Sequence, residues 1–166
     1  MAWTDRLWTR RRPYLHGPMI VRRWDLEYRG TPGLRTVAAL PLSVQLWRLL
    51  LLLERGPTLA LDIGASYGAF TLAGRYPAGS RCVAFEPHPQ VVHCLRQSVA
   101  AHPDADRITV LAAAASDTAG PDWLQVDTAK SGCSSLHAHP RRRGALRRQA
   151  IATLRVDKAV VRRPGE

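Results

Sequence analysis

Cysteine is scarce in this chain. The three present, Cys82, Cys94 and Cys133, are odd in number and form no C-x-x-C pair. That excludes a disulfide framework and the common zinc patterns. Cys82 and Cys94 read as small apolar core residues, and a reducing cytoplasm is the expected compartment. Lysine is nearly absent: Lys130 and Lys158 are the only two among 24 basic residues, so the net charge of +11 comes from arginine. Two origins stay open for it, a basic patch facing nucleic acid, anionic membrane or an acidic substrate, or the arginine-rich composition of a high-GC genome. Long apolar runs are missing. The longest, from Val44 to Leu53, contains Gln45 and Arg48 and is far short of the ~20 residues needed to span a bilayer. The opening Met1-Ala2-Trp3-Thr4-Asp5-Arg6 lacks the apolar core of a signal peptide. A G-x-G-x-x-G dinucleotide fingerprint is also absent, and no internal repeat is visible.

What remains is one domain's worth of chain, 166 residues with 46% hydrophobic content, enough for a real core. Its organising stretch runs from Leu59 to Thr71. Leu59 to Ile63, broken only by Asp62, reads as a buried strand. Gly64 and Gly68 then bracket a small-residue turn, and an apolar stretch starts a helix from about Ala69 to Tyr76, closed by Pro77-Ala78-Gly79. Strand, glycine turn and helix are how α/β folds hold nucleotide-like ligands. Cys82 to Phe85 reads as the next strand, with Glu86 at its end, 22 positions beyond Gly64. An acidic residue at that distance accepts hydrogen bonds from ribose hydroxyls. The spacing G-x-x-x-G suits a ligand with ribose and adenine but no pyrophosphate, and S-adenosylmethionine is the obvious candidate. Asp62 also suits a cationic ligand better than a phosphate. Plainer readings stay open: a glycine turn that binds nothing, and a Glu86 carboxylate favoured by a helix dipole.

In chain order, residues 1–40 form a lead-in rich in arginine and aromatics, including Trp3, Trp8, Tyr14, Trp24 and Tyr28, interrupted by proline and glycine. It is expected to pack its tryptophans on the domain, with nucleic-acid binding by stacking and phosphate contact as the alternative, although no nucleic-acid module spacing is present. Residues 41–166 form the α/β domain. Pro41 to Arg55 reads as a helix whose stripe Leu42, Leu46, Leu49, Leu50 and Leu53 is expected to pack against the sheet edge, with an interfacial membrane helix as the alternative. Pro87 and Pro89 open a helix to about His102, with Val91, Val92, Leu95 and Val99 on one face. His93 and His102 read as solvated. Pro103 to Asp106 is a turn, and Ile108 to Ala114 a third strand. Trp123 to Val126 and Ile151 to Asp157 alternate as strands. The loop Ala114-Ala115-Ser116-Asp117 reads either as an ordinary strand end or as a small-residue surface that leaves room for an adenine. His137 and His139 offer a general base, and the arginines from Arg141 to Arg148 read as a solvated face or one meeting an anionic substrate.

Five blocks in order, Asp62-Ile-Gly-Ala-Ser-Tyr-Gly-Ala-Phe-Thr71, Val83-Ala-Phe-Glu-Pro-His-Pro89, Ala113-Ala-Ala-Ser-Asp117, Gly132-Cys-Ser-Ser-Leu136 and Thr153-Leu-Arg-Val-Asp157, resemble the FkbM family of methyltransferases. The resemblance covers roughly residues 56–160 and departs at Ser66, where that family usually has asparagine. It implies a Rossmann-like class I methyltransferase fold with a mostly parallel sheet and S-adenosylmethionine as cofactor. The implied activity is O-methylation of a hydroxyl on a small-molecule natural product or glycan acceptor. Carried over residue by residue, Gly64, Ala65, Ser66 and Gly68 lie under the methionine part of the cofactor, and Asp62 orients its amino group. Glu86 takes the ribose hydroxyls, and Ala115 and Ser135 fall in blocks near the cofactor. The family's Lys-x-Asp-x-Glu-Gly block does not follow Asp157. The resemblance therefore implies a C-terminally truncated domain whose catalytic residues are not assignable. Such a chain is completed by a partner chain, or is a degenerate homologue acting by weak cofactor binding or protein interaction.

Overall fold

The computed structural model describes residues 7–10, 16, 19–22, 42–127, 134–137 and 146–161. At its centre three short strands lie parallel: β3 (Leu59–Ile63), β4 (Arg81–Phe85) and β5 (Ile108–Leu111), in the spatial order β3-β4-β5. Leu61 pairs with Val83 and Ile63 with Phe85, while Ala84 pairs with Val110. The strands are almost wholly apolar because both faces of the sheet are used, as parallel sheets require. Alternation divides their side chains between two clusters. Ala60, Cys82, Ala84 and Ile108 face a layer containing Leu72, Tyr76, Leu95 and Val99. Val83 and Phe85 face the other way, with Leu61 and Leu111, onto Leu154, Val156 and Val160.

The first layer is built from α1 (Leu42–Leu53), the segment after β3, and α2 (Pro89–Ala100). Pro89 sits in the first turn of α2, where its missing N–H is no loss. Val91, Val92, Leu95 and Val99 are buried as their spacing predicts. Strands β1 (Leu7–Arg10) and β2 (Met19–Arg22) pair antiparallel, Trp8 opposite Val21. The Ile20 N–H donates to Ser98 Oγ at 2.8 Å, which docks β2 on α2, and Met19 is buried in the first core. So part of the expected lead-in is a hairpin; Trp3, Tyr14, Trp24 and Tyr28 lie outside the described residues.

The second layer is a small mixed sheet of order β6-β8-β7, from β6 (Ala113–Ser116), β7 (Gly120–Asp127) and β8 (Leu146–Arg155). β6 runs parallel to β8 and β7 antiparallel to it. α3 (Val156–Val161) follows β8 without a loop, and its Val160 carbonyl accepts from Arg81 Nη2 at 2.7 Å.

Four expectations are corrected. The helix expected over 69–76 is only a three-residue 3-10 turn, Thr71–Ala73, because Gly74 is extended (φ −77°, ψ 156°). The single strand expected over 108–114 breaks at the exposed Ala112, so that β5 stays in the parallel sheet and β6 crosses to the other. The strand expected to end at Asp157 stops at Arg155, and Val156 opens α3. α1 is rotated from its expected setting. Val44 is buried, and Trp47 and Leu51 pack on the core, while Leu46, Leu49, Leu50 and Leu53 face outward. Trp47 meets Phe70 edge-on at 6.0 Å, and Leu51 lies beside Gly74.

Candidate functional site

The glycine turn joins the C-terminal end of β3 to the adjoining end of β4. Gly64 and Ala65 both send their N–H groups to the Phe85 carbonyl at 2.9 Å, and the Gly68 N–H returns to the Ala65 carbonyl at 2.8 Å. Three residues are left-handed: Gly64 at φ 77°, Ser66 at φ 51° and Gly68 at φ 88°. The two glycines meet different surroundings. A Cβ on Gly68 would stand 2.6 Å from Leu95 Cδ1, whereas one on Gly64 would meet nothing within 4 Å. The space over Gly64 is open to an incoming group. Ser66 takes a conformation that disfavours any side chain but tolerates a short polar one.

What holds Ser66 is Glu86. This buried carboxylate at the end of β4 accepts the Ser66 N–H at Oε2 and the His88 N–H at Oε1, both at 2.8 Å. It therefore ties the two loops that leave neighbouring strands. Burial raises its pKa, and the two N–H donors pull it back only in part. An ionised carboxylate offers about four lone-pair directions. With one N–H on each oxygen, Glu86 keeps acceptor capacity for a hydroxyl pair.

Asp62, one pleat away, is engaged differently. Its Oδ2 accepts both the Thr71 N–H at 3.0 Å and the Thr71 hydroxyl at 2.5 Å. Burial raises its pKa against those two bonds. The carboxylate thus caps the 3-10 turn that replaces the expected helix. The Tyr76 hydroxyl donates to the Thr71 carbonyl at 2.9 Å from the other side. The Cys82 thiol beside it is pushed up to about 11, chiefly by burial, so it is an inert packing group rather than a nucleophile.

Of the residues singled out in the sequence, Asp62, Gly64, Ala65, Ser66, Gly68 and Glu86 come together at the ends of β3 and β4. Ala115 lies in β6 and packs against the Val83–Phe85 cluster. Ser135 pairs through its backbone with Gln125 of β7, and its Oγ accepts the His137 N–H. These contacts tie it to the second sheet rather than to the glycine turn. His137 is exposed; His139, Arg141 to Arg143 and Arg162 to Arg163 lie outside the described residues. On the exposed ribbon the Arg148 guanidinium stands 5.0 Å from the Trp123 ring centre.

The sequence reading missed a polar hub behind the turn. Asp104 accepts Arg75 Nε at 2.7 Å and the Tyr76 N–H at 2.9 Å, and Arg107 Nη1 donates to the Tyr76 carbonyl at 2.6 Å. His102, expected to be solvated, is buried: its Nδ1 accepts the Asp104 N–H and its Nε2 donates to the Gly74 carbonyl, each at 3.1 Å. The signal available was the turn Pro103-Asp104-Ala105-Asp106, which marks where an acidic side chain reaches backbone N–H groups. Among the described residues, no group of three or more His, Cys, Asp or Glu is placed to hold a metal ion. Nor is any described helix long and apolar enough to cross a membrane.

No protein-family model matches the chain, and neither a curated protein nor a solved structure does. What stands is the architecture: an α/β chain with a three-stranded parallel sheet and helices, compatible with a Rossmann-like fold.

Proposed function

We propose that the turn Gly64–Gly68 and Glu86 bind the adenosyl and methionine parts of S-adenosylmethionine. On this reading the chain is built as a class I methyltransferase acting on a hydroxyl of a small molecule or glycan. The observation that carries the proposal is the Glu86 carboxylate, buried at the end of β4 and bonded to the Ser66 N–H of the turn that ends the neighbouring parallel strand. Carboxylate, left-handed small-residue turn and open space over Gly64 fit a ribose diol and a compact amino-acid tail.

Bound there, the cofactor would supply an activated methyl group. The chain's own part is to hold the ligand. Glu86 accepts from the ribose hydroxyls while keeping its N–H donors, so the loops need not move apart. Gly64 leaves the approach clear. Asp62 acts through Thr71 by fixing the chain beyond the turn. Positioning of this kind is the main protein contribution to a displacement reaction.

A second reading, ligand binding without catalysis, is favoured by one observation. Among the described residues β3 has a strand on only one side, so the crevice at its end has one wall.

The test is calorimetric titration of the chain with S-adenosylhomocysteine, for wild type, Glu86→Ala and Thr71→Val. Micromolar binding is expected, weakened at least ~10-fold by Glu86→Ala, about 1.4 kcal/mol. Thr71→Val keeps the Thr71 N–H on Asp62 and should leave binding nearly unchanged, while the lost hydroxyl bond to a buried carboxylate lowers stability by about 2 kcal/mol. A folded wild-type chain that does not bind, or a Glu86→Ala variant that binds as well, would sink the proposal.

A further inference from the structure

Among the described residues, β3 has the sequence of a central strand and the position of an edge strand. Leu59-Ala60-Leu61-Asp62-Ile63 carries no lysine, proline or bulge, three of the devices that blunt an edge; its one charge, Asp62, is turned inward onto Thr71. The phase of its hydrogen bonding follows from two contacts. The Thr58 carbonyl accepts from the Arg81 N–H, and the Gly64 N–H donates to Phe85. Even-numbered residues therefore address β4, and the backbone groups of Leu59, Leu61 and Ile63 point to the opposite side. No described strand lies there. On that rim Ile63 is 57% exposed and Leu59 40%.

The helix preceding β3 is unfinished in the same sense. α1 sends Val44, Trp47 and Leu51 into the core that also holds Ala60 of β3, with Trp47 against Phe70 and Leu51 beside Gly74. Its other side presents Leu46, Leu49, Leu50, Leu52 and Leu53 to solvent, between 50% and 73% exposed. Together with Leu59 and Ile63 these make seven of the nine large apolar side chains left exposed among the described residues, and exposed apolar side chains gathered in one part of a chain mark an interaction surface.

Charge selects the occupant. The chain carries +11, but within residues 42–63 the charges outside the core are only Arg48, Glu54 and Arg55, since Asp62 is buried. A helix that lies on anionic lipid surrounds its apolar face with lysine and arginine; this one carries a single arginine, Arg48. A nearly neutral apolar surface on a strongly basic chain is where two copies can meet with little of their positive charge brought together.

We infer that the chain forms a two-fold dimer through the open edge of β3, with the outward leucines of α1 from both copies packed beside the joined strands. An axis normal to the sheet makes the two β3 strands antiparallel. Centring the pair on Leu61 sets Leu59 of one copy opposite Ile63 of the other. Both α1 helices then lie on the same face of a six-stranded sheet, and the interface is isologous and closed. It also gives the crevice beyond β3 a second wall. The inference rests on the fold alone and stands whether or not the glycine turn binds S-adenosylmethionine.

Sedimentation velocity of the full chain tests it, from about 0.1 to about 100 µM, a range wide enough to follow an association whose strength area alone does not fix. The expected result is a monomer–dimer equilibrium. Leu50→Glu and Leu59→Lys should each shift the dissociation constant upward at least ~10-fold with an unchanged circular dichroism spectrum, since both side chains are already exposed. A chain monomeric at every concentration overturns the inference. If that monomer binds vesicles of phosphatidylserine and phosphatidylcholine, the leucine face is a lipid surface; if it does not, the face awaits a different polypeptide. Open-ended oligomers, or dimers unaffected by both substitutions, overturn it as well.

Discussion

At the scale of single residues, the glycine turn separates two reasons for having glycine that are usually entangled. Gly64 and Gly68 share nearly the same left-handed backbone, but only Gly68 is also pressed against a neighbour, Leu95. Leu95 is fully buried, so its methyl has nowhere to retreat. Gly64→Ala should therefore carry only the conformational penalty, about 1 kcal/mol. Gly68→Ala adds overpacking and should lose about 3 kcal/mol. Urea unfolding of both variants measures the difference, and equal losses would refute the role given to Leu95. Asp62 makes a related point. Its type and position suit a ligand's amino group, yet its Oδ2 accepts two hydrogen bonds from Thr71, nine residues later. A carboxylate that caps a turn and one that meets a cation look the same in sequence. Only the arrival of Thr71 tells them apart.

At the scale of elements, the sequence was most informative where apolar runs are short and bounded. β3 and β4 are flanked by glycine or proline within a few residues, so their extents, and the meeting of Gly64 with Glu86, could be read directly. α1 was legible as a helix but not as a surface. With leucine at seven of its twelve positions, counting stripes picks the face richest in leucine. Packing instead took Val44, Trp47 and Leu51, whose shapes fit against Phe70 and the Gly74 backbone. The segment after β3 failed for a different reason. Its apolar run resembles a helix, but Asp62 captures the Thr71 N–H and Gly74 is extended, so a third-order contact overrides the local pattern. The rotation of α1 can be checked by stability. Val44→Ala removes two buried methyl groups and should cost about 2 kcal/mol. Leu49→Ala removes more atoms from an exposed position of a helix and should stay within ~0.5 kcal/mol. Both are measured at concentrations low enough to keep copies apart. The reverse order of losses would restore the face read from sequence.

At the scale of the whole molecule, the hub of Arg75, Tyr76, His102 and Asp104 joins the segment after β3 to the turn after α2, and it carries a pH dependence whose sign follows from burial. His102 and His16 meet edge-on at 5.9 Å, and both have pKa values below the ordinary 6.5. For His102 the main cause is burial, only partly offset by Asp104; for His16 it is burial, reinforced by Arg75 and Arg48. The geometry agrees: His102 Nδ1 must accept from the Asp104 N–H, which only the neutral ring can do. A histidine held neutral in the folded chain takes up its proton more readily when unfolded. Its contribution to stability is complete above 6.5 and declines as pH falls through 6.5 toward the lowered folded value. The carboxylates act in mixed directions. Asp104, held down chiefly by Arg75, loses its contribution as pH falls below 3.8, whereas buried Asp62 and Glu86 are raised and are relieved by protonation. Stability measured by urea unfolding should therefore fall between pH 7.5 and 5.5. His102→Gln keeps a donor for the Gly74 carbonyl but cannot be protonated; it should start lower at pH 7.5 and decline less. If wild type and His102→Gln decline in parallel, the hub does not sense pH, and the dependence must come from groups elsewhere in the chain.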